Sequence, residues 1–448
     1  MVHIKLILLF LISSSTILCC SCSVSAAPFS VLTYGAKGDE TTDDTQAFQK
    51  AWADACKAEG STLLVPSGHK FLVGQISLVG PCKTNMIFQL DGQISAPSVS
   101  SKTWGAGGTL QWLEFKNLNG FTITGQGTID GKGSGWWSSS SSSKSSSNSL
   151  LMKDDDDHID YNNISFGGLK IPSTKPTVSS VNSSVPYLNL IALRFYGSQG
   201  VTVTGIQFIN SPKAHLKFDS CSNVAVNKVK ITSPETSPNT DGIHLQNTKG
   251  VTIQGSTIAC GDDCISIQTG CSGVNINGVT CGPSHGISIG GLGKDKSKAC
   301  VSNVTVTDST IKSSLTAVRI KTWQGGSGSV SGVKFSNIQC QAVKTAIMID
   351  QFYCDANHCA NQTSAVDVSD VSFQGIKGTY TQNPVHLACS ESLGCTGITL
   401  GGINLTPAGT TASPPSCLDT YGQVTGATTP PINCLKTGKQ PKKNAATC

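Results

Sequence analysis

Short stretches in which Val or Ile alternates with small polar residues recur along the chain: Gly200-Val-Thr-Val-Thr-Gly-Ile, Asn223-Val-Ala-Val-Asn-Lys-Val, Gly250-Val-Thr-Ile-Gln-Gly-Ser and Gly273-Val-Asn-Ile-Asn-Gly-Val. Similar segments begin at Asn303, Gly332 and Asp370. The first apolar residue of each (Val201, Val224, Val251, Val274, Val304, Val333, Val371, Ile398) follows the last by 23, 27, 23, 30, 29, 38 and 27 residues. A period in the twenties, made of short alternating strands with Gly and Asn at the corners, predicts a solenoid of β-coils.

A second strand aligns within the same period: Gly242-Ile-His-Leu-Gln, Cys264-Ile-Ser-Ile-Gln, Gly286-Ile-Ser-Ile-Gly, Ala317-Val-Arg-Ile-Lys and Ala346-Ile-Met-Ile-Asp. Ile243, Ile265, Ile287, Val318 and Ile347 are aliphatic, and so are Leu245, Ile267, Ile289, Ile320 and Ile349 two residues on. Period-two alternation means one buried face per strand, and stacked coils turn those positions into aliphatic ladders inside a cylinder. The pattern predicts an all-β fold, a single-domain right-handed parallel β-helix over residues 27–405.

Solenoid ends need covers. Thr41-Thr-Asp-Asp-Thr followed by Ala47, Phe48, Ala51, Trp52 and Ala55 predicts an N-terminal amphipathic helix over the first coil, with Asp39, Asp43 and Asp44 as its caps. Residues 406–448, rich in Pro, Thr and Gly, with Cys417, Cys434 and Cys448, predict an irregular tail tied by disulfides. The Ser-rich and Asp-rich stretch 138–187 does not fit the coils. Its run Asp154 to Asp157 lacks the alternating spacing of a calcium loop and reads as a solvated insertion.

Lys5, then Leu6 to Ile12, then the small residues Val24-Ser25-Ala26 read as a secretory signal peptide over 1–26, in preference to a membrane anchor, because the apolar core is short. Its removal takes Cys19, Cys20 and Cys22 and leaves 16 of the 19 cysteines, an even number suited to an oxidising compartment. Sequons at Asn163, Asn182, Asn303, Asn361 and Asn404 agree with secretion. Near the chemistry described next, Cys260, Cys264 and Cys281 suggest local disulfides. A formal charge of +5, dispersed along the chain, excludes the dense Lys/Arg footprint of a nucleic-acid binder. No membrane partner is expected, and a monomer is the default for a glycosylated solenoid.

Two residues before the first inward aliphatic stand Asp241, Asp263 and His285, 22 residues apart each time, hence in one file on consecutive coils about 4.8 Å apart. Asp262 precedes Asp263, and Arg319 and Lys321 occupy outward positions further along. A file of carboxylates repels itself and raises at least one pKa, which a structural ladder would avoid with Asn or Thr. His158, His215, His358 and His386 have no such file around them. Acids, an imidazole and two cations suit hydrolysis of a glycosidic bond in an anionic sugar, and register alone leaves retention and inversion both open.

Asn239-Thr240-Asp241, Gly261-Asp262-Asp263, Ser284-His285-Gly286 and Arg319-Ile320-Lys321 resemble, in order and separation, the four signature motifs of plant polygalacturonases, glycoside hydrolase family 28. The likeness runs from Phe29-Ser-Val-Leu-Thr-Tyr-Gly-Ala to Ile349-Asp-Gln-Phe-Tyr353. It implies inverting hydrolysis of α-1,4-galacturonan in pectin, with no cofactor and no metal. By that resemblance Asp262 is the general acid, Asp241 and Asp263 activate water, and His285 tunes the acid. Arg319, Lys321, Asn239 and Tyr353 would then bind substrate. The segment between Trp136-Trp137 and Ala192-Leu-Arg-Phe-Tyr196 is longer than the family pattern, and Asn189-Leu190-Ile191 replaces its Arg-Pro. A calcium-dependent pectate lyase and an inert wall-binding solenoid are the competing readings; the intact Asp, Asp, Asp, His set speaks against both.

Overall fold

The computed structural model describes residues 27–101, 104, 111–137, 190–355, 359–410, 412–438 and 448. The expected leader, the 138–187 insertion, Asn163, Asn182, His158 and His358 lie outside them. Among the described residues every strand pairing is parallel and joins one turn of a right-handed β-helix to the next. No helix there is long and apolar enough to cross a membrane.

The eight aliphatics aligned by sequence form one unbroken ladder, Val201 to Val224, Val251, Val274, Val304, Val333, Val371 and Ile398. The second ladder runs Ile243, Ile265, Ile287, Val318, Ile347 as predicted, and extends back to Leu216 and forward to Val385. A third face stacks Ile94, Ile129, Phe208, Ile231, Ile258, Cys281, Ile311 and Cys340. All these side chains are buried, so one apolar column fills the cylinder. Like side chains at equal heights also stack, as in Phe195 on Phe218 at 5.2 Å and Phe335 on Phe373 at 5.2 Å.

The predicted helix is Thr45–Ala55, and its five apolar positions are all buried. Phe48 meets Phe71 edge-on, and Trp52 meets Phe115 and Phe121, so the helix closes the open end of the column. The capping expectation needs correction. Asp43 alone receives an N–H of the first turn, that of Thr45. Asp44 accepts from the amides of Lys37 and Gly38, and Asp39 from those of Thr41 and Thr42, so both fold the preceding loop.

The tail is also more regular than its composition suggests. Ser416–Leu418 and Thr420–Thr425 add strands onto the last coil, with Cys417 beside Leu387 and Gln423 beside Thr399. Apolar alternation fades there because the final turn has no further coil to bury it. Disulfides Cys417–Cys434 and Cys300–Cys448 fasten this end, and Cys56–Cys82 fastens the helix. Asn303, Asn361 and Asn404 are exposed.

Candidate active site

The amide of Gly242 donates to the Asp263 carbonyl and that of His285 to the Asp262 carbonyl, which sets positions 241, 263 and 285 side by side in the parallel ladder. The main-chain file therefore stands as predicted. Its tight corners depend on glycine. A Cβ on Gly261 would lie 1.8 Å from the Ser237 carbonyl oxygen, and one on Gly286, at φ +89°, 2.1 Å from that of Thr316.

The side chains diverge from that shared file. Asp262 is the most open of the three acids, with 20% of its side chain exposed against 15% for Asp241 and 3% for Asp263. Its Oδ1 lies 2.8 Å from His285 Nδ1 and accepts the Asp263 amide at 2.8 Å. His285 is anchored in turn by Thr316, whose hydroxyl donates to its carbonyl at 2.6 Å. Beside His285 runs a groove of about 440 Å³, lined by Glu235, Gly261, Ser284, Ser314 and Lys344 among others.

Asp263 turns into the structure. Arg319 Nη2 donates to its Oδ1 at 2.6 Å, the Ser288 hydroxyl to the same oxygen at 2.7 Å, and Lys321 Nζ lies 3.2 Å from its Oδ2. Burial pushes this carboxyl up, but the charges of Arg319 and Lys321, with the Ser288 hydrogen bond and His285, outweigh it and hold Asp263 well below the ordinary carboxylate range. Sequence alternation places Arg319 and Lys321 on the outer face, yet both are buried and both hold Asp263. Lys321 also lies 4.9 Å from the centre of the Tyr353 ring, which is braced edge-on by Trp323.

Asp241 is raised well above the carboxylate range by burial first and then by the charges of Asp262 and Asp263. Two histidines hold it. His215, fully buried, donates from Nδ1 to the Asp241 carbonyl at 2.8 Å and accepts from Ser233 at Nε2, and burial pushes it down to about 4. His244 Nδ1 lies 2.9 Å from Asp241 Oδ2. Sequence reasoning missed both: His244 occupies an outward strand position, and His215 stands between Ala214 and Leu216 with no carboxylate beside it in sequence. Asn239 is exposed next to this turn, at φ +53°.

Of the three local cysteines, Cys264 and Cys281 pair and tie the strand after the Asp262-Asp263 pair to the next corner. Cys260 does not join it. It is a buried free thiol that donates to the Asp262 carbonyl at 3.3 Å, and burial pushes it well above the usual thiol range. Donor atoms of Asp262, Asp263 and His285 lie within 4.8 Å of one another. Asp263 already faces two protein cations, so a divalent ion would have to break those pairs, and the donor set fits a metal poorly.

The model of the glycosyl hydrolases family 28 matches residues 56–185 and 188–420. A polygalacturonase of Persea americana is 39% identical over 390 residues, 87% of this chain and 76% of that protein. A probable polygalacturonase of Arabidopsis thaliana is 37% identical over 402 residues, 89% and 82% respectively. Among solved structures, the endo-xylogalacturonan hydrolase of Aspergillus tubingensis superimposes with a TM-score of 0.67 at 21% identity, covering 88% of this chain and 98% of its own. The Erwinia carotovora polygalacturonase gives 0.64 at 22%, covering 89% and 94%. At such identities the structures speak for the fold alone, but the family match and the closer relatives reach over most of the sequence. The chain belongs to glycoside hydrolase family 28.

Proposed function

We propose that the chain is a secreted polygalacturonase that hydrolyses α-1,4-galacturonosyl linkages of pectin inside the polymer, with inversion, during cell-wall remodelling. The observation that carries this reading is the set of three acids on two successive turns, each with a different electrostatic surrounding. Asp263, locked between two cations, stays ionised. Asp241, buried beside Asp262 and Asp263, resists ionisation and is held in place by two histidines. In the productive form Asp262, the most exposed of the three acids, carries the proton given to the leaving glycosidic oxygen. Asp241 and Asp263 draw the proton from the attacking water. His285 orients Asp262 and returns it to its protonated state.

Arg319 uses Nε on Ser288 and Nη2 on Asp263, which leaves Nη1 for a galacturonate carboxylate. Lys321 supports the same carboxylate, Tyr353 offers its ring to a sugar face, and Asn239 stands at the rim. No cofactor is needed for these steps. Names of relatives support the substrate class, six disulfides among the described residues support an extracellular site of action, and a monomer suits a solenoid whose first coil is closed by a helix.

The test is incubation of the protein with polygalacturonate, following reducing ends, viscosity and the ultraviolet absorbance of unsaturated products together. Fast viscosity loss with reducing ends and no new absorbance is the expected result. Slow viscosity loss with monomer release refutes internal cleavage, new absorbance replaces hydrolysis with elimination, and the absence of reducing ends refutes the activity.

A further inference from the structure

The tautomer of His244 is set by its surroundings. Its Nδ1 lies 2.9 Å from Asp241 Oδ2, while its Nε2 is buried with no hydrogen-bond partner. A lone pair on Nδ1 would meet the lone pairs of the ionised carboxylate, so the ring carries its single proton on Nδ1 and donates it to Asp241. Nearby charges enforce neutrality. Lys217 sits directly beside His244 in the ladder from the preceding turn, Ser266 stands beside it on the following one, and the charges of Lys213, Lys321 and Asp263 also reach it. Burial and the lysines hold the imidazole well below the ordinary histidine range.

We infer that His244 is a positioning residue which favours the ionised form of Asp241. A hydrogen bond donated to a carboxylate favours its ionised form, and Asp241 can take a proton from water only in that form. By stabilising ionised Asp241 against its burial, His244 keeps that carboxylate available as the base. The same bond fixes the plane of the Asp241 carboxylate, whose main chain His215 already holds. This inference rests on the hydrolase reading above and adds to it the group that keeps the buried base ionised.

The experiment compares the unsubstituted chain with His244→Leu and His244→Asn on polygalacturonate. The amide nitrogen of Asn can reach the place of Nδ1 and restore the donor. His244→Leu should lower kcat about 10- to 100-fold, the scale of losing an orienting partner, with KM within about twofold. The acid limb of its pH profile should move to higher pH, and His244→Asn should recover most of both changes. The carboxyl carbon of Asp241, followed by nuclear magnetic resonance, should titrate at higher pH in His244→Leu. An unmoved acid limb or an unmoved Asp241 titration in a folded His244→Leu overturns the inference, as does an Asn variant no better than Leu. If the unsubstituted chain releases no reducing ends, the hydrolase reading fails, and the Asp241 titration still decides the role of His244.

Discussion

Replacing Asp263 by Asn removes the one negative charge that Arg319 and Lys321 share inside the protein. Only 7% and 9% of these two side chains are exposed, and only 3% of the Asp263 side chain, so water cannot take over the role of the carboxylate. The amide oxygen still accepts from Ser288 and Arg319, but an N–H₂ group turns toward Lys321 and leaves the ammonium unpaired. Breaking a buried pair by deleting one partner costs about 3–5 kcal/mol. For 448 residues the unfolding entropy near 60 °C is about 0.9 kcal/mol/K, so Tm should fall by about 3–6 °C. The assay is thermal unfolding followed by circular dichroism from pH 3 to pH 7. Asp263 is depressed in the fold, so its stabilisation is complete above the ordinary Asp range and is lost as pH falls through that range toward the folded value. The gap between the two proteins should therefore be full at pH 6 and narrow below about pH 4. A second change, Lys321→Met, made on Asp263→Asn should recover part of the loss because it removes the stranded charge. A Tm within about 1 °C of the unsubstituted protein at pH 6, or a gap that ignores pH, would refute the ion-pair argument.

Asp262→Asn should reduce turnover by about 10²–10⁴ with the unfolding curve unchanged, and near-normal release of reducing ends would remove Asp262 from the acid role. Asp241→Asn should be inactive yet at least as stable at pH 7. The raised carboxyl destabilises the fold progressively as pH rises above the ordinary Asp range, fully so above its folded value, and the amide removes that penalty. The gain, on the order of 1 kcal/mol, should vanish near pH 4; a Tm lower by several degrees at pH 7 would contradict it. Gly261→Ala drives a methyl into the Ser237 carbonyl and displaces Asp262, so either folded yield or kcat should drop at least about tenfold, and a fully active, stable variant would show that the corner yields easily.

The ladder positions were legible because each coil repeats the same inside-outside alternation, and a one-residue slip would expose the whole aliphatic set. That is why Val201 through Ile398 pair as aligned, and why the main chains of Asp241, Asp263 and His285 stand in register. Alternation reports the direction in which a side chain leaves the sheet, not where a long one ends. Arg319 and Lys321 leave outward and reach along the sheet to Asp263, so their burial and pairing were invisible. His244 is likewise an ordinary outward residue until the Asp241 turn is folded above it. Nothing in the sequence sets Cys260, two residues before Asp262, apart from Cys264 and Cys281, which do pair, and the tail strands lose their alternation for want of a covering coil.

Arg319 closes on an acid 56 positions earlier in the chain, and Asp241, Asp263, His285 and Arg319 each belong to a different turn. The site is thus assembled across turns, whereas the cylinder is stabilised between neighbouring turns. Gene rearrangements that delete or duplicate one coil within this stretch would leave a stackable scaffold and separate an acid from its cation. Descendants of such an event would keep the architecture and lose the chemistry in a single step, whereas coil gains nearer either end would lengthen the surface beside an intact site.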